Sequence, residues 1–323
     1  MKIRFGILPA LLLAGATFGA VAQQAEAPQP QLWSPVTHEV VQGDIPEIRG
    51  IAADHVLPAS SWTVNQAELT GLDTLGNAQF NADLLLFGVF GVAVLFALFV
   101  MINGKAKLTH GFSGKLVPRW SKTDVAVHWL GAIACMGLIL TGLVMAAGRF
   151  YLDPLMMEAR WQGLVNAMVA WHNFLAFPFI VGALVMMVKW APKQMPEACD
   201  LAWFKSCGGY LNFGSFKGKH PDAGFANAGE KLWFWCFTLF GLILIGTGLV
   251  MMFPSLVSTK DAANLALVLH LVGALIVGAF SVVHIFMATI MSEGGMECMV
   301  SGQCDENWAK QHHNLWYDKL SRS

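Results

Sequence analysis

Charge is what this sequence has least of. Only 13% of its 323 residues are Asp, Glu, Lys or Arg, while 55% are hydrophobic and the mean hydropathy is +0.54. A soluble domain carries about 25% charged residues, so the deficit excludes an ordinary soluble globule and makes the chain a membrane protein. A formal net charge of −1 offers nucleic acid no electrostatic attraction. Cysteine is sparse too. Cys135, Cys199, Cys207, Cys236, Cys298 and Cys304 form no C-x-x-C pair and no C-x-x-C-H motif. Their spacings match no usual metal site and read as ordinary reduced thiols. No internal repeat, low-complexity tract or nucleotide-binding motif is expected.

What is present is long apolar sequence. Residues 1–22 read as a cleaved signal peptide, with Lys2 and Arg4, an apolar run, and Ala20-Val21-Ala22 before Gln23. Five runs free of charge follow, at approximately 84–103, 125–148, 164–188, 232–253 and 264–291. Each is long enough to cross a bilayer as a helix. With the signal removed, the mature N-terminus starts outside. Fourteen Lys and Arg then fall inside, in 104–124, 189–231 and 287–323, against Arg49, Arg149, Arg160 and Lys260 outside. That bias follows the positive-inside rule and predicts an N-out, C-in topology. Residues 23–83 contain Pro and Gly breaks and no cysteine. A segment of that size is marginal as a domain. It is expected to be an extended arm lying on a partner, with His38 and His55 as surface histidines.

Four of the ten histidines lie in the apolar runs: His128, His172, His270 and His284. His270 and His284 are fourteen residues apart, about 1400° of helical rotation, so their rings point within about 40° of each other. They are separated by about 21 Å along the axis, which puts one near each face of a bilayer core about 30 Å thick. The topology sets His128 with His284 near the inner face and His172 with His270 near the outer face. A polar ring in hydrocarbon needs a partner. Single interhelical hydrogen bonds would satisfy one histidine. Four in two depth-matched pairs fit bis-histidine ligation of two b-type haems, an electron wire across the membrane. Gly131, Gly273 and Gly278 are expected to let a porphyrin approach the helices.

Local strings then point to a family. "DVAVHW" at 124–129, "WHNFLAF" at 171–177, "NAGEK" at 227–231, "HLVGAL" at 270–275 and "EGGMECMVSGQCDENWAKQHHNLW" at 293–316 resemble the gamma, or cytochrome b, subunit of respiratory formate dehydrogenases. The match covers about 120–320, and "NAGEK" with "WAKQHHNLW" is its most specific part. The histidines alone would equally fit the di-haem anchor of a hydrogenase or thiosulfate reductase. A haem-free membrane scaffold for periplasmic subunits is the reading from another class.

The resemblance implies an all-α membrane protein: a four-helix di-haem bundle at 104–323 plus an additional helix at 84–103, a periplasmic arm at 23–83 and a signal peptide at 1–22. His128 and His284 match the ligands of the cytoplasmic-side haem iron, and His172 and His270 those of the periplasmic-side haem iron. The family reduces quinone, menaquinone or ubiquinone, near the cytoplasmic-side haem. There His284, Asn227 and Glu230 are the pocket candidates, Glu230 standing where the family often has Gln, so that a carboxylate could pass protons. Asn227 also reads as a helix N-cap. Electrons would arrive from a periplasmic iron–sulfur beta subunit. Formate itself would be oxidised in a molybdenum- or tungsten-containing alpha subunit, within a higher oligomer of heterotrimers in the bacterial inner membrane. His312 and His313 are expected to be structural or to face a partner, and Trp308 and Trp316 to lie at the membrane interface.

Overall fold

The computed structural model describes residues 78–322 except Met157. The signal peptide and nearly all of the arm, with His38 and His55, lie outside the described residues. Five helices are long and apolar enough to cross a membrane: α1 Ala78–Asn103, α2 Lys122–Tyr151, α3 Glu158–Trp190, α5 Ala228–Met252 and α6 Lys260–Phe286. Four shorter helices lie between and after them: α4 Asp200–Lys205, α7 Glu297–Ser301, α8 Glu306–His312 and α9 Asn314–Arg322. Even α5, with 25 residues, exceeds a 30 Å hydrocarbon core at about 1.5 Å per residue. The class is the all-helical membrane bundle expected from the composition.

The helices begin earlier than the uncharged runs. Asp83 lies inside α1, where Tyr151 donates its hydroxyl to it. Asp124 closes a capping box with Ser121 at the start of α2, and Glu230 does the same with Asn227 at the start of α5. An acid in the first turn completes the free N–H groups there and complements the helix dipole, so charge starts these helices. Residues 78–83, expected in the arm, are therefore helical.

α2 packs along α3, α5 along α6, and α1 leans on α6 and α2. The α2–α3 crossing is set by glycine. A Cβ added to Gly182 would stand 2.8 Å from both Cα and N of Gly131, so glycine at 182 is what allows this approach. At the opposite end of the bundle from the short α2–α3 and α5–α6 connections, the long segments interlock as a cap. Strand β1 Leu116–Pro118 pairs antiparallel with β2 Gln303–Asp305, Val117 opposite Cys304. Leu108, Val117, Cys298, Cys304, Trp308 and Ala309 form the cap's core. Asp305, 2% exposed, accepts from the backbone N–H of Ser113, Gly114 and Asn307 and from the Ser113 hydroxyl. Burial raises the pKa of its carboxyl, but these hydrogen bonds outweigh it and hold the group below its ordinary value.

Candidate functional site

The structure brings the four intramembrane histidines together in two pairs. Rings of His172 on α3 and His270 on α6 have centroids 6.4 Å apart at 59°, and those of His128 on α2 and His284 on α6 are 6.3 Å apart at 58°. Two pairs at different depths thus share one geometry. A metal–imidazole bond of about 2.0 Å on each side, with ring radii of about 1.2 Å from ordinary bond lengths, gives centroids about 6.4 Å apart. Each gap matches that width, so the two rings of a pair could hold one metal between them.

The first pair is oriented by threonine. Nδ1 of His172 lies 2.8 Å from Oγ1 of Thr141, and Nδ1 of His270 lies 2.9 Å from Oγ1 of Thr247. Each hydroxyl donates its own proton back along its helix, Thr141 to the Gly137 carbonyl at 2.8 Å and Thr247 to the Ile243 carbonyl at 2.7 Å. The threonine oxygens must therefore accept from the histidines. That fixes the Nδ1–H tautomer and leaves both Nε2 lone pairs bare. The next residue is glycine in each case, and a Cβ on Gly142 or Gly248 would stand 3.5 or 3.4 Å from the histidine Cε1.

The second pair is set by tryptophan. Trp190 stacks on His128 at 6.2 Å and 18°, and Trp233 on His284 at 5.4 Å and 19°. Trp190 donates Nε1–H to Asp124 at 2.8 Å, and Lys189 pairs with the same carboxylate at 2.8 Å. Nδ1 of His128 is buried without a protein partner.

Asn227 and Glu230 sit where α5 enters the cap, one turn before Trp233. The Asn227 side chain accepts from the Glu230 N–H at 2.9 Å, and Glu230 Oε2 accepts from the Asn227 N–H at 3.1 Å. Glu230 also pairs with Arg119 at 3.0 Å. The Arg119 side chain is 4% exposed and lies among the rings of Trp120, Phe225, Trp308 and Trp316. A buried cation here is held by one carboxylate and four aromatic faces.

Several details bear on the expectations from sequence. A Cβ on Gly131, Gly273 or Gly278, the glycines expected to admit a porphyrin, would meet Met186 and Gly182, Leu244 and the Phe240 carbonyl, and Val89. All three stand at helix–helix contacts, and Gly142 and Gly248 stand by the rings. Trp308, 4% exposed, belongs to the cap core around Arg119 rather than to a lipid interface. Thr141 and Thr247 are functional candidates that sequence reading passes over. The signal was available: T-G-L-V-M occurs at both 141–145 and 247–251, a short internal repeat where none was expected. Among the described residues Glu197, Cys199 and Asp200 converge as a metal site would, but Lys231 Nζ fills that position, 2.7 Å from Glu197 and 2.8 Å from Asp200.

The profile of a family described as "Prokaryotic cytochrome b561" matches residues 119–302. The nitrate-inducible formate dehydrogenase cytochrome b556(Fdn) subunit of Escherichia coli K12 is 24% identical over 211 residues, 65% of this chain and 94% of that protein. A formate dehydrogenase cytochrome b556 subunit of Haemophilus influenzae is 26% identical over 195 residues, 59% of this chain and 77% of its own. The cytochrome b556(fdo) subunit of Escherichia coli K12 formate dehydrogenase is 22% identical over 209 residues, 64% of this chain and 94% of its own.

Proposed function

Since the chain belongs to the prokaryotic cytochrome b561 family, we propose that it is the membrane electron-transfer subunit of a formate dehydrogenase, holding two b haems. The observation that carries this reading is the pair of equal gaps, 6.3 and 6.4 Å between ring centres. His172 and His270 hold one haem iron and His128 and His284 the other. Haem held by these histidine pairs would supply one-electron carriage. Thr141 and Thr247 keep the Nε2 atoms of the first pair free for iron, and the Trp190 and Trp233 rings keep the second pair from rotating. The apolar spans around them exclude water.

The cap faces the cytoplasm, consistent with the fourteen basic residues on its side of the spans. Electrons enter at the His172–His270 end from a periplasmic iron–sulfur subunit. They leave at the His128–His284 end to quinone, beside Asn227 and Glu230. Formate is oxidised in a separate molybdenum- or tungsten-containing subunit. α1 is the added helix beside the four that carry or support the histidines.

A pyridine haemochrome assay of the intact, haem-replete complex should give about two b haems per chain, with both reducible by formate. Fewer than two haems would reject the pairing. Two haems that dithionite reduces and formate does not would point instead to the anchor of another oxidoreductase.

A further inference from the structure

The cap contains titratable groups that a mere lid has no use for. His220 is exposed on the surface, within 3.4 Å of Thr109 Oγ1. Its ring meets that of His312 edge to face at 6.4 Å. His312 lies between Tyr210, stacked at 6.3 Å, and Trp308 at 5.5 Å. Trp308 in turn contacts the ring of His313 at 4.9 Å. His313 is 0% exposed, and its Nε2 stands 3.8 Å from Glu230 Oε1. Glu230 leads to the first turn of α5 and the Trp233–His284 stack. These ring contacts and the His313–Glu230 approach line the groups up between the exposed surface and the first turn of α5.

The hydrogen bonding is unusual in what it leaves open. His313 Nδ1 is 3.0 Å from the Gly224 carbonyl, so Nδ1 donates and Nε2 carries a lone pair. That lone pair faces a carboxylate oxygen, an arrangement that becomes favourable only with a proton between them. Nε2 of both His312 and His313 is buried without a hydrogen-bond partner in the protein. Buried polar atoms of this kind bind water when the site has several of them. Trp308 Nε1 and Arg119 Nε, also buried and unpartnered, add two donors to the same region.

We propose that His220, His312, His313 and Glu230 form a proton-uptake relay, with bound water between them, that supplies quinone reduction at the His128–His284 end. This rests on the quinone reading given above. Quinone takes two electrons from the chain's one-electron carriers and two protons to become quinol. Each proton leaves the Glu230 carboxyl, Glu230 regains one from His313 Nε2, and His313 regains one through His312 from water at His220. Arg119 pairs with the Glu230 carboxylate at 3.0 Å and keeps it turned toward the cap interior. Tyr210, Lys231, His284, Cys298 and Cys304 are also within electrostatic reach. Burial holds His312 at about 4 and His313 well below the ordinary histidine value, so both rings rest neutral and accept a proton only in passing.

The test uses the whole formate-oxidising complex in proteoliposomes, with H312Q, H313Q and E230Q. Haem content and haem reduction by formate should be unchanged. Quinol formation should fall at least tenfold, gain a larger solvent deuterium isotope effect, and recover in part with added imidazole for H312Q and H313Q. Independently of turnover, the redox-difference infrared spectrum of the wild type should show a carboxyl change that E230Q abolishes. That measurement stands even if H313Q fails to assemble. Assembled variants with wild-type quinol rates, or a wild-type spectrum with no carboxyl change, overturn the relay alone. A wild-type complex that reduces its haems but forms no quinol removes the quinone reading and the relay with it.

Discussion

Each histidine pair depends on different neighbours, so single substitutions should separate them. Replacing His172 with Ala should empty the outer site and block electron entry while the inner site stays loaded in haem-replete cells. His128→Ala should do the reverse, leaving an outer haem that formate still reduces. Loss of the same haem in both variants would contradict the pairing by depth. Thr141→Val and Thr247→Val keep shape but remove the acceptor for Nδ1–H. Loss of such a supporting bond weakens metal binding by about 10–100-fold, so titration should find the outer haem alone shifted or depleted.

In the cap, hydrogen bonds from Tyr317 and Lys115 hold Glu306 at about 2, below its ordinary 4.5, and burial holds His312 at about 4, below 6.5. Both groups bind protons more tightly when unfolded. Their stabilisation is complete above the unfolded values and is lost as pH falls, from about 6.5 to 4 for His312 and from 4.5 to 2 for Glu306. Hydrogen exchange of α8 and β2 should therefore speed up in two acid steps, and E306Q should shrink the lower one, leaving the share due to Asp305.

At the scale of helices, the α2–α3 crossing is the most sharply determined contact. In Gly182→Ala the new methyl meets backbone atoms of Gly131 at 2.8 Å, which cannot rotate away. Overpacking of this kind costs about 1–3 kcal/mol. Because His128 is one turn from Gly131, the inner haem should be lost first on mild heating, followed in the visible spectrum. Gly163→Ala, with nothing within 4 Å, should behave as wild type.

The spans were legible in the sequence because hydrocarbon excludes charge along their whole length. Their ends were not, since Asp83, Asp124 and Glu230 belong to the helices that they seemed to bound. The histidine pairing followed from helix direction and depth, two quantities that sequence carries. The cap stayed hidden because its contacts join residues far apart in the chain, as in Arg119 with Glu230 or His313 with Gly224. No periodicity records such pairs.

For the whole molecule, the proposed function depends on the two ends of the bundle facing different compartments. Formate oxidation outside and quinone reduction inside would build membrane potential without a pump. Proteoliposomes with a pH dye trapped on the cap side should show alkalinisation there when formate is added. Active quinone reduction with no proton uptake on that side would refute the scheme. One more consequence follows from His270 and His284 sharing α6. A rigid rod has a single angle of rotation about its axis, so closing either gap sets the angle for the other. The first haem to arrive must stop that rotation, and the second finds it already stopped. Loading should then be cooperative in haem supply, with half-filled chains scarce during biogenesis and the empty and doubly filled forms dominating.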